Sequence, residues 1–205
     1  RYMKITLYQD DIPPKLTFGN SIAIDTEAMG LNHQRDRLCL IQLSSGNGIC
    51  YLIQINNILK KPKNLLKILK DNKVQKIFHF ARFDVGILKH TYQINIKNIY
   101  CTKIASKLAR TFTDKHGYKD LCLELLKKTI LKEQQTSDWG SKKLSIKQQQ
   151  YAATDVLHLH KIKDKLNEML LREDRNLIAK ECFNFLEHRI SLDLMGWSDI
   201  DIFKH

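Results

Sequence analysis

The segment Ile22-Ala23-Ile24-Asp25-Thr26-Glu27 is a short apolar run that ends in two acids. It follows the turn signal Gly19-Asn20, and its composition predicts a buried β-strand. Residues two apart in a strand point to the same face, so Asp25 and Glu27 converge on one point. Two acids that converge at a strand end are a candidate cation site, although a solvated strand end explains the same pattern.

The rest of the chain changes from strands to helices. Strand-like runs at 4–8, 38–43 and 48–53 predict a meander with the strand at 21–25, and a further strand covers 74–80. Apolar residues recur at helical spacing in 64–69, 83–88, 104–108, 121–126, 146–169 and 177–194. The strand and helix alternation predicts an α/β fold with a mixed sheet flanked by helices and a helical C-terminal half.

Size and charge set broad limits. With 205 residues, of which 43% are hydrophobic, the chain fits one domain over 1–205, with 171–205 as a C-terminal helical extension. A formal net charge of +12 favours a polyanionic partner, because lysines that neutralise phosphates release counterions. Richness in Lys, Ile and Asn together could equally reflect the base composition of the coding DNA.

The cysteines and the hydropathy pattern favour a cytoplasmic protein. Five cysteines lie far apart and form no Cys-x-x-Cys pair, which indicates reduced, structural thiols. No stretch approaches the roughly 18 apolar residues that a membrane span needs. We therefore expect no membrane association.

Two further segments carry acids. Asp84 follows the strand at 74–80 near the start of a helix, where it could cap that helix or bind a metal ion. Tyr151 and Asp155 are four residues apart in a helical pattern and lie on one face. Taken with Asp25 and Glu27, four carboxylates and one tyrosine match a two-metal phosphoryl-transfer site.

These segments resemble ribonuclease D and its relatives, the tyrosine subclass of the four-carboxylate (DEDD) 3′–5′ exonucleases. The resemblance spans 5–166 and includes residues outside the acids: Leu38-Cys39-Leu40-Ile41-Gln42-Leu43 after the first motif, His79 through Leu88, and Gln135-Thr136-Ser137-Asp138-Trp139 with Leu144 and Gln148 before Tyr151-Ala152-Ala153-Thr154-Asp155-Val156. Ala28-Met29 stands where an aromatic residue is usual, and Lys142-Lys143 stands where Arg-Pro is usual. We expect a short form without the C-terminal helical RNA-binding modules.

The resemblance implies a ribonuclease-H-like fold and a metal-dependent activity. Asp25, Glu27, Asp84 and Asp155 would hold two divalent ions, Mg²⁺ or Mn²⁺, and Tyr151 would position the attacking water. These five residues form the expected catalytic set.

Several neighbours of these motifs are candidate substrate contacts. Met29 and Leu31 could wedge against the terminal base, and His79 and Phe83 lie within one turn of Asp84. Phe83 as a core residue and His79 as a satisfied strand histidine are equally open. The residues that could line the path of the strand are Lys132, Gln135, Trp139 and Lys142, although Trp139 could equally be a packing residue.

The sequence therefore predicts an exonuclease that removes nucleotides from the 3′ end of single-stranded nucleic acid. RNA is favoured over DNA, with a role in RNA processing, such as that of tRNA 3′ ends, or in RNA degradation. A DNA exonuclease for repair or proofreading and an inactive nucleic-acid-binding module are the alternatives. We expect no obligate protein partner.

Overall fold

One mixed sheet of six strands forms the centre of the protein. The structure, a computed structural model, describes residues 3–131 and 133–205. The strands are β1 (Lys4–Gln9), β2 (Ser21–Ala28), β3 (Leu38–Ser44), β4 (Ile49–Gln54), β5 (Gln75–Phe78) and β6 (Ile99–Cys101). Their order in the sheet is β1-β4-β3-β2-β5-β6.

Helices follow the first four strands along the chain. They are α1 (Lys63–Lys70), α2 (Ala81–Tyr92), α3 (Thr102–Ala109), α4 (Tyr118–Leu126), α5 (Ile146–Leu157), α6 (Leu159–Arg172) and α7 (Asn176–Leu192). A π-helical turn, Asp193–Trp197, continues α7. Among the described residues, no helix combines the length and the apolar character needed to cross a bilayer.

The predicted α/β architecture, a mixed sheet with a helical second half, is confirmed. Three details differ from the prediction. Strand β1 does not continue the meander but pairs in parallel with β4 at the edge of the sheet. Strand β6 has only three residues, too few for a period to show. The helical period of 146–169 covers two helices that meet at His158, because both halves present apolar residues at the same spacing.

Packing on both sides of β3 explains its composition. Every residue of β3 is buried, as expected for a central strand covered by other elements. Helix α5 packs against β2, β3 and β4, while α2 contacts β3, β5 and β6. Helix α7, within the expected C-terminal extension, contacts α2, α3 and β6.

The directions of β2 and β5 place the acidic residues at the carboxyl ends of these two neighbouring strands. Strands β2 and β5 are parallel, with Ala23 beside Ile77, so their carboxyl ends lie side by side. Helix α2 begins three residues after β5 ends and therefore starts near the carboxyl end of β2. Strand β3 runs antiparallel to β2 and places Gln42 opposite Asp25, and a β-bulge follows between Glu27 and Ala28.

Candidate active site

Three carboxylates from two elements meet in space. One oxygen each from Asp25, Glu27 and Asp155 lies within 4.8 Å of the other two. Asp25 and Glu27 come from the same face of β2, and α5 packs over that strand to deliver Asp155. Residues separated by 130 positions in the sequence, Asp25 and Asp155, therefore lie in one cluster.

Asp84 joins the cluster from the first turn of α2. It is buried, and its Oδ1 accepts a hydrogen bond of 2.5 Å from Thr26 Oγ1. It lines the same cavity as Asp25, whose negative charge acts on it. The N-cap of α2 is Phe80, and no side chain caps this end. Of the two roles open for Asp84 in the sequence, the structure therefore favours a place in the acidic cluster over helix capping.

Burial and mutual repulsion disfavour the charged forms of these acids. Burial raises the pKa of Asp25 to about 7. Burial, together with the negative charges of Asp25, Asp155 and Asp84, raises the pKa of Glu27 to about 10. The pKa of Asp84 lies well above its usual value for the same two reasons, burial first and Asp25 second.

A divalent cation fits this donor set. Its positive charge would offset the repulsion, and carboxylate oxygens suit hard ions such as Mg²⁺ and Mn²⁺. Gln42 orients two of these acids, because its Nε2 donates to Asp25 Oδ2 at 3.1 Å and to Glu27 Oε1 at 3.4 Å. The acids are thus held in place from β3 as well as from their own strand.

Tyr151 lies one helical turn before Asp155 and lines the same cavity. Burial raises its pKa, and the charges of Asp155, Glu27 and Asp25 raise it further. The phenol therefore remains protonated at neutral pH. The ring of Trp139 packs beside the Tyr151 ring, with the centroids 6.0 Å apart.

The segment before α5 is fixed by a capping box. Ser145 Oγ accepts from the Gln148 backbone N–H at 3.1 Å, and Gln148 Oε1 accepts from the Ser145 N–H at 2.9 Å. Gln148 Nε2 also donates to the carbonyl of Asp138 at 3.1 Å. Gln148, in the first turn of α5, thereby holds the loop that carries Trp139 beside Tyr151.

The acids lie in an open cavity of about 330 Å³. Among the residues predicted to contact substrate, those that line it are Leu31, His79, Phe83 and Gln135. His79 Nδ1 pairs with Thr102 Oγ1 at 2.9 Å, and burial lowers the pKa of His79 to about 3, with Lys103 and His116 adding to the shift. His79 is therefore a neutral imidazole held at the wall of the cavity.

Three other predicted contacts lie outside the cavity lining. Trp139 is only 4% exposed and packs against Tyr151, which makes it a packing residue. The Met29 sulfur lies against Gly140, and the side chain does not line the cavity. Lys142 is exposed, and its carbonyl accepts from Gln54 Nε2 at 3.3 Å. Lys132 lies outside the described residues.

The cavity also contains residues that sequence reasoning missed. They are Thr26, Phe80, Lys103, Gly117, Tyr118, Lys119 and Ile130. Tyr118 connects α4 with α5 in the cavity wall, because its hydroxyl donates to the carbonyl of Thr154 on α5 at 2.5 Å. Lys103 and the 117–119 segment belong to α3 and the start of α4, which carry no acid motif, so only their position in space reveals them.

A matching family model defines the class of the protein. The model described as "3′-5′ exonuclease" matches residues 10–171. The chain belongs to this 3′–5′ exonuclease family.

Particular relatives refine this assignment. Ribonuclease D of Gluconacetobacter diazotrophicus is 34% identical over 155 residues, which are 75% of this chain and 39% of that protein. DNA polymerase I of Aquifex aeolicus is 32% identical over 147 residues, 72% of this chain and 24% of that protein. The chain thus spans about two fifths of the length of the ribonuclease D that it matches.

A solved structure matches along almost the whole chain. Brucella melitensis NrnC superposes with a TM-score of 0.96 and 49% identity over 99% of each chain. Further structures of that protein contain bound Mg²⁺ or pGG. The expected ribonuclease-H-like fold is confirmed by these neighbours.

Proposed function

We propose that this chain is a metal-dependent exonuclease that hydrolyses phosphodiesters from the 3′ end of RNA, one nucleotide at a time. The observation that carries the proposal is the meeting of Asp25, Glu27 and Asp155 within 4.8 Å, with Asp84 in the lining of the same cavity. Four acids brought together from three elements can bind divalent cations, and bound cations of this kind catalyse phosphodiester hydrolysis.

Two divalent ions, Mg²⁺ or Mn²⁺, are proposed as cofactors, with Asp25, Glu27, Asp84 and Asp155 as their ligands. Bound there, such ions would lower the pKa of a water molecule and stabilise negative charge on phosphorus and on the leaving 3′ oxygen. The acidic cluster supports divalent metal binding, and the Mg²⁺ in NrnC supports the choice of ion.

Tyr151 is proposed to orient the attacking water. Its raised pKa keeps the hydroxyl protonated, so the phenol holds the water by hydrogen bonds and does not act as a base. Trp139 supports the ring of Tyr151 from behind and is therefore a positioning residue.

RNA is the proposed substrate class, in processing (for example of tRNA 3′ ends) or in degradation. The ribonuclease D relatives support RNA, and the pGG bound to NrnC supports a short, guanine-containing strand as one substrate. Leu31 and Phe83 at the cavity offer apolar surface to a base of any type. Five free cysteines fit the proposed cytoplasmic location.

We also propose that 1–205 acts as one exonuclease domain, with 171–205 as its helical extension. The packing of α7 against α2 supports this proposal, because α2 carries Asp84.

A DNA exonuclease is the second candidate. The likeness to DNA polymerase I of Aquifex aeolicus favours it, and the same acids would hydrolyse either backbone. Recognition of the 2′-hydroxyl would separate the two substrates.

Matched 5′-labelled RNA and DNA single strands test the proposal. We expect the natural protein to shorten RNA from its 3′ end in a ladder, with no cleavage in EDTA or by Asp155→Ala. A ladder on DNA alone would favour the second candidate. An inactive natural protein that still binds RNA would indicate a binding module.

A further inference from the structure

Helices α5 and α6 are separated by a single residue, His158, which lies three positions after Asp155. In an uninterrupted helix the carbonyl of Thr154 would accept a hydrogen bond from the N–H of His158, four residues later. Each of the other six described α-helices is followed by a residue whose N–H donates to the last turn. Among the described residues, His158 donates no such bond to α5, so the Thr154 carbonyl lacks its helical donor.

A side chain from another helix supplies the missing donor. Tyr118 is the first residue of α4, and its hydroxyl donates to the Thr154 carbonyl at 2.5 Å. Burial raises the pKa of Tyr118 well above its usual value, and the charge of Asp155 adds to the shift. The phenol therefore stays protonated at neutral pH and keeps the proton that this hydrogen bond needs.

The position of the Tyr118 hydroxyl is fixed by its own surroundings. Gly117, the N-cap of α4, donates its N–H to Asp120 Oδ2 at 3.2 Å, which fixes the first turn of the helix. The Tyr118 ring packs beside the ring of His79, with the centroids 6.0 Å apart. His79 is in turn paired with Thr102 Oγ1. The hydroxyl is thus a fixed donor that can hold a helix end which has lost a bond of its own.

The carbonyl that Tyr118 holds belongs to the peptide unit that joins Thr154 to Asp155. This unit is planar, so a hydrogen bond to its oxygen also fixes the direction in which the chain enters Asp155. Asp155 lies in the last turn of α5, and helices fray at their ends. One of its carboxylate oxygens lies within 4.8 Å of oxygens of Asp25 and Glu27. A shift of the Thr154 carbonyl would therefore displace one member of the acidic cluster.

We propose that Tyr118 is a positioning residue for Asp155. Its hydroxyl holds the last turn of α5, so that the Asp155 carboxylate meets those of Asp25 and Glu27. This inference rests on the proposed function, in which these acids bind divalent ions. Tyr118 acts through Asp155 and needs no contact of its own with an ion or with RNA.

The substitution Tyr118→Phe tests this role, because it removes the hydroxyl and keeps the ring beside His79. A calorimetric titration with Mn²⁺ at pH 7, in the absence of RNA, measures the effect on the acids. We expect the Kd for Mn²⁺ to rise about ten- to a hundredfold, since loss of a group that orients a metal ligand has an effect of this size. On RNA, kcat should fall while KM changes less than about twofold.

Tyr100→Phe is the matched control. The Tyr100 hydroxyl donates to Asn167 Oδ1 at 2.8 Å, and Tyr100 is buried but does not line the acidic cavity. Both variants lose one hydroxyl that donates a hydrogen bond, so we expect similar decreases in melting temperature. The Tyr100 variant should keep its Kd for Mn²⁺ within about twofold of that of the natural protein, because the two sites share no partner. This comparison separates positioning of Asp155 from a general loss of stability.

Hydrogen exchange of the metal-free protein gives a readout that requires no ion. Tyr118→Phe should speed exchange of the amides at 155–159 beyond any change in Tyr100→Phe, because the end of α5 opens more readily. Unchanged exchange there, or a Kd for Mn²⁺ equal to that of the Tyr100 variant, would overturn the inference. A natural protein that binds Mn²⁺ but does not hydrolyse RNA would reject the proposed function alone. If the natural protein binds no Mn²⁺, the proposed function is also rejected, and the exchange result still decides whether Tyr118 holds the end of α5.

Discussion

The carboxyl group of Asp25 is buried beside other acids, and its negative charge is costly when no cation is bound. Asp25→Asn keeps the shape and removes this charge. We expect turnover on RNA to fall at least about a thousandfold, because a ligand of the proposed ions is lost.

The same substitution should stabilise the metal-free protein. With a pKa of about 7 for Asp25, part of the cost of ionisation is present at pH 7.5. Removal of the charge should raise the melting temperature in EDTA by roughly 5 °C, equivalent to about 2 kcal/mol. A lower melting temperature in a calorimetric scan would contradict the electrostatic account.

The role proposed for Tyr151 can be tested by a substitution that removes only its hydroxyl oxygen. Tyr151→Phe removes the hydroxyl and keeps the ring that packs against Trp139. We expect kcat to fall about a hundredfold, while the affinity for Mn²⁺ changes less than twofold. Tyr8→Phe, far from the acids in the sheet edge strand β1, is the control. Full activity of the Tyr151 variant would remove the tyrosine from the mechanism.

The acids could be found in the sequence because local periodicity places them. A two-residue period aligns Asp25 with Glu27, and a helical turn aligns Tyr151 with Asp155. Gln42 and Phe80 have no such signal. The contact of Gln42 depends on the register of β2 against β3, and the exposure of Phe80 depends on one backbone angle.

Helix α2 is joined to the C-terminal turn by a two-point ion pair. Arg82 donates from Nε and from a terminal nitrogen to the two carboxylate oxygens of Asp193, both at 2.7 Å. Arg189 also donates to Asp193, at 3.2 Å. Because Arg82 precedes Asp84 by two residues, the extension at 171–205 can fix the start of α2 and thereby the acid.

The effect of this pair should appear as coupling between two variants. Arg82→Ala and Asp193→Ala should each lower kcat/KM about tenfold, and the double variant should be little worse than either. A double-mutant cycle on kcat/KM and on thermal stability measures this coupling. Strictly additive losses would show that the two side chains act independently.

At the scale of elements, the spacing of apolar residues predicted whether a segment is a helix or a strand. It did not predict where one helix ends and the next begins. The helical spacing of 146–169 continues across His158, although the chain turns there to pack α6 against α3. Similarly, the sequence of β1 predicts a strand of the meander, yet β1 pairs in parallel with β4. Tertiary packing determines both the break at His158 and the pairing of β1. The local pattern of apolar residues carries no information about such packing.

The whole molecule should respond to pH through its acidic cluster. The pKa of Asp25 is 3.8 in an exposed chain and about 7 in the fold, so the folded state binds more protons between these values. Stability of the metal-free protein should therefore fall as pH rises from about 4 to 7. Urea unfolding in EDTA at a series of pH values measures the slope. Stability that rises across this window would be inconsistent with buried, repelling acids.

Metal binding at the four acids is the central claim, and a calorimetric titration with Mn²⁺ at pH 7 tests it most directly. The account predicts two bound ions per chain, proton release that is revealed by buffers of different ionisation enthalpy, and loss of binding in Asp155→Asn. The same Mn²⁺ affinity in Asp155→Asn as in the natural protein, or no binding and no proton release at all, would contradict it.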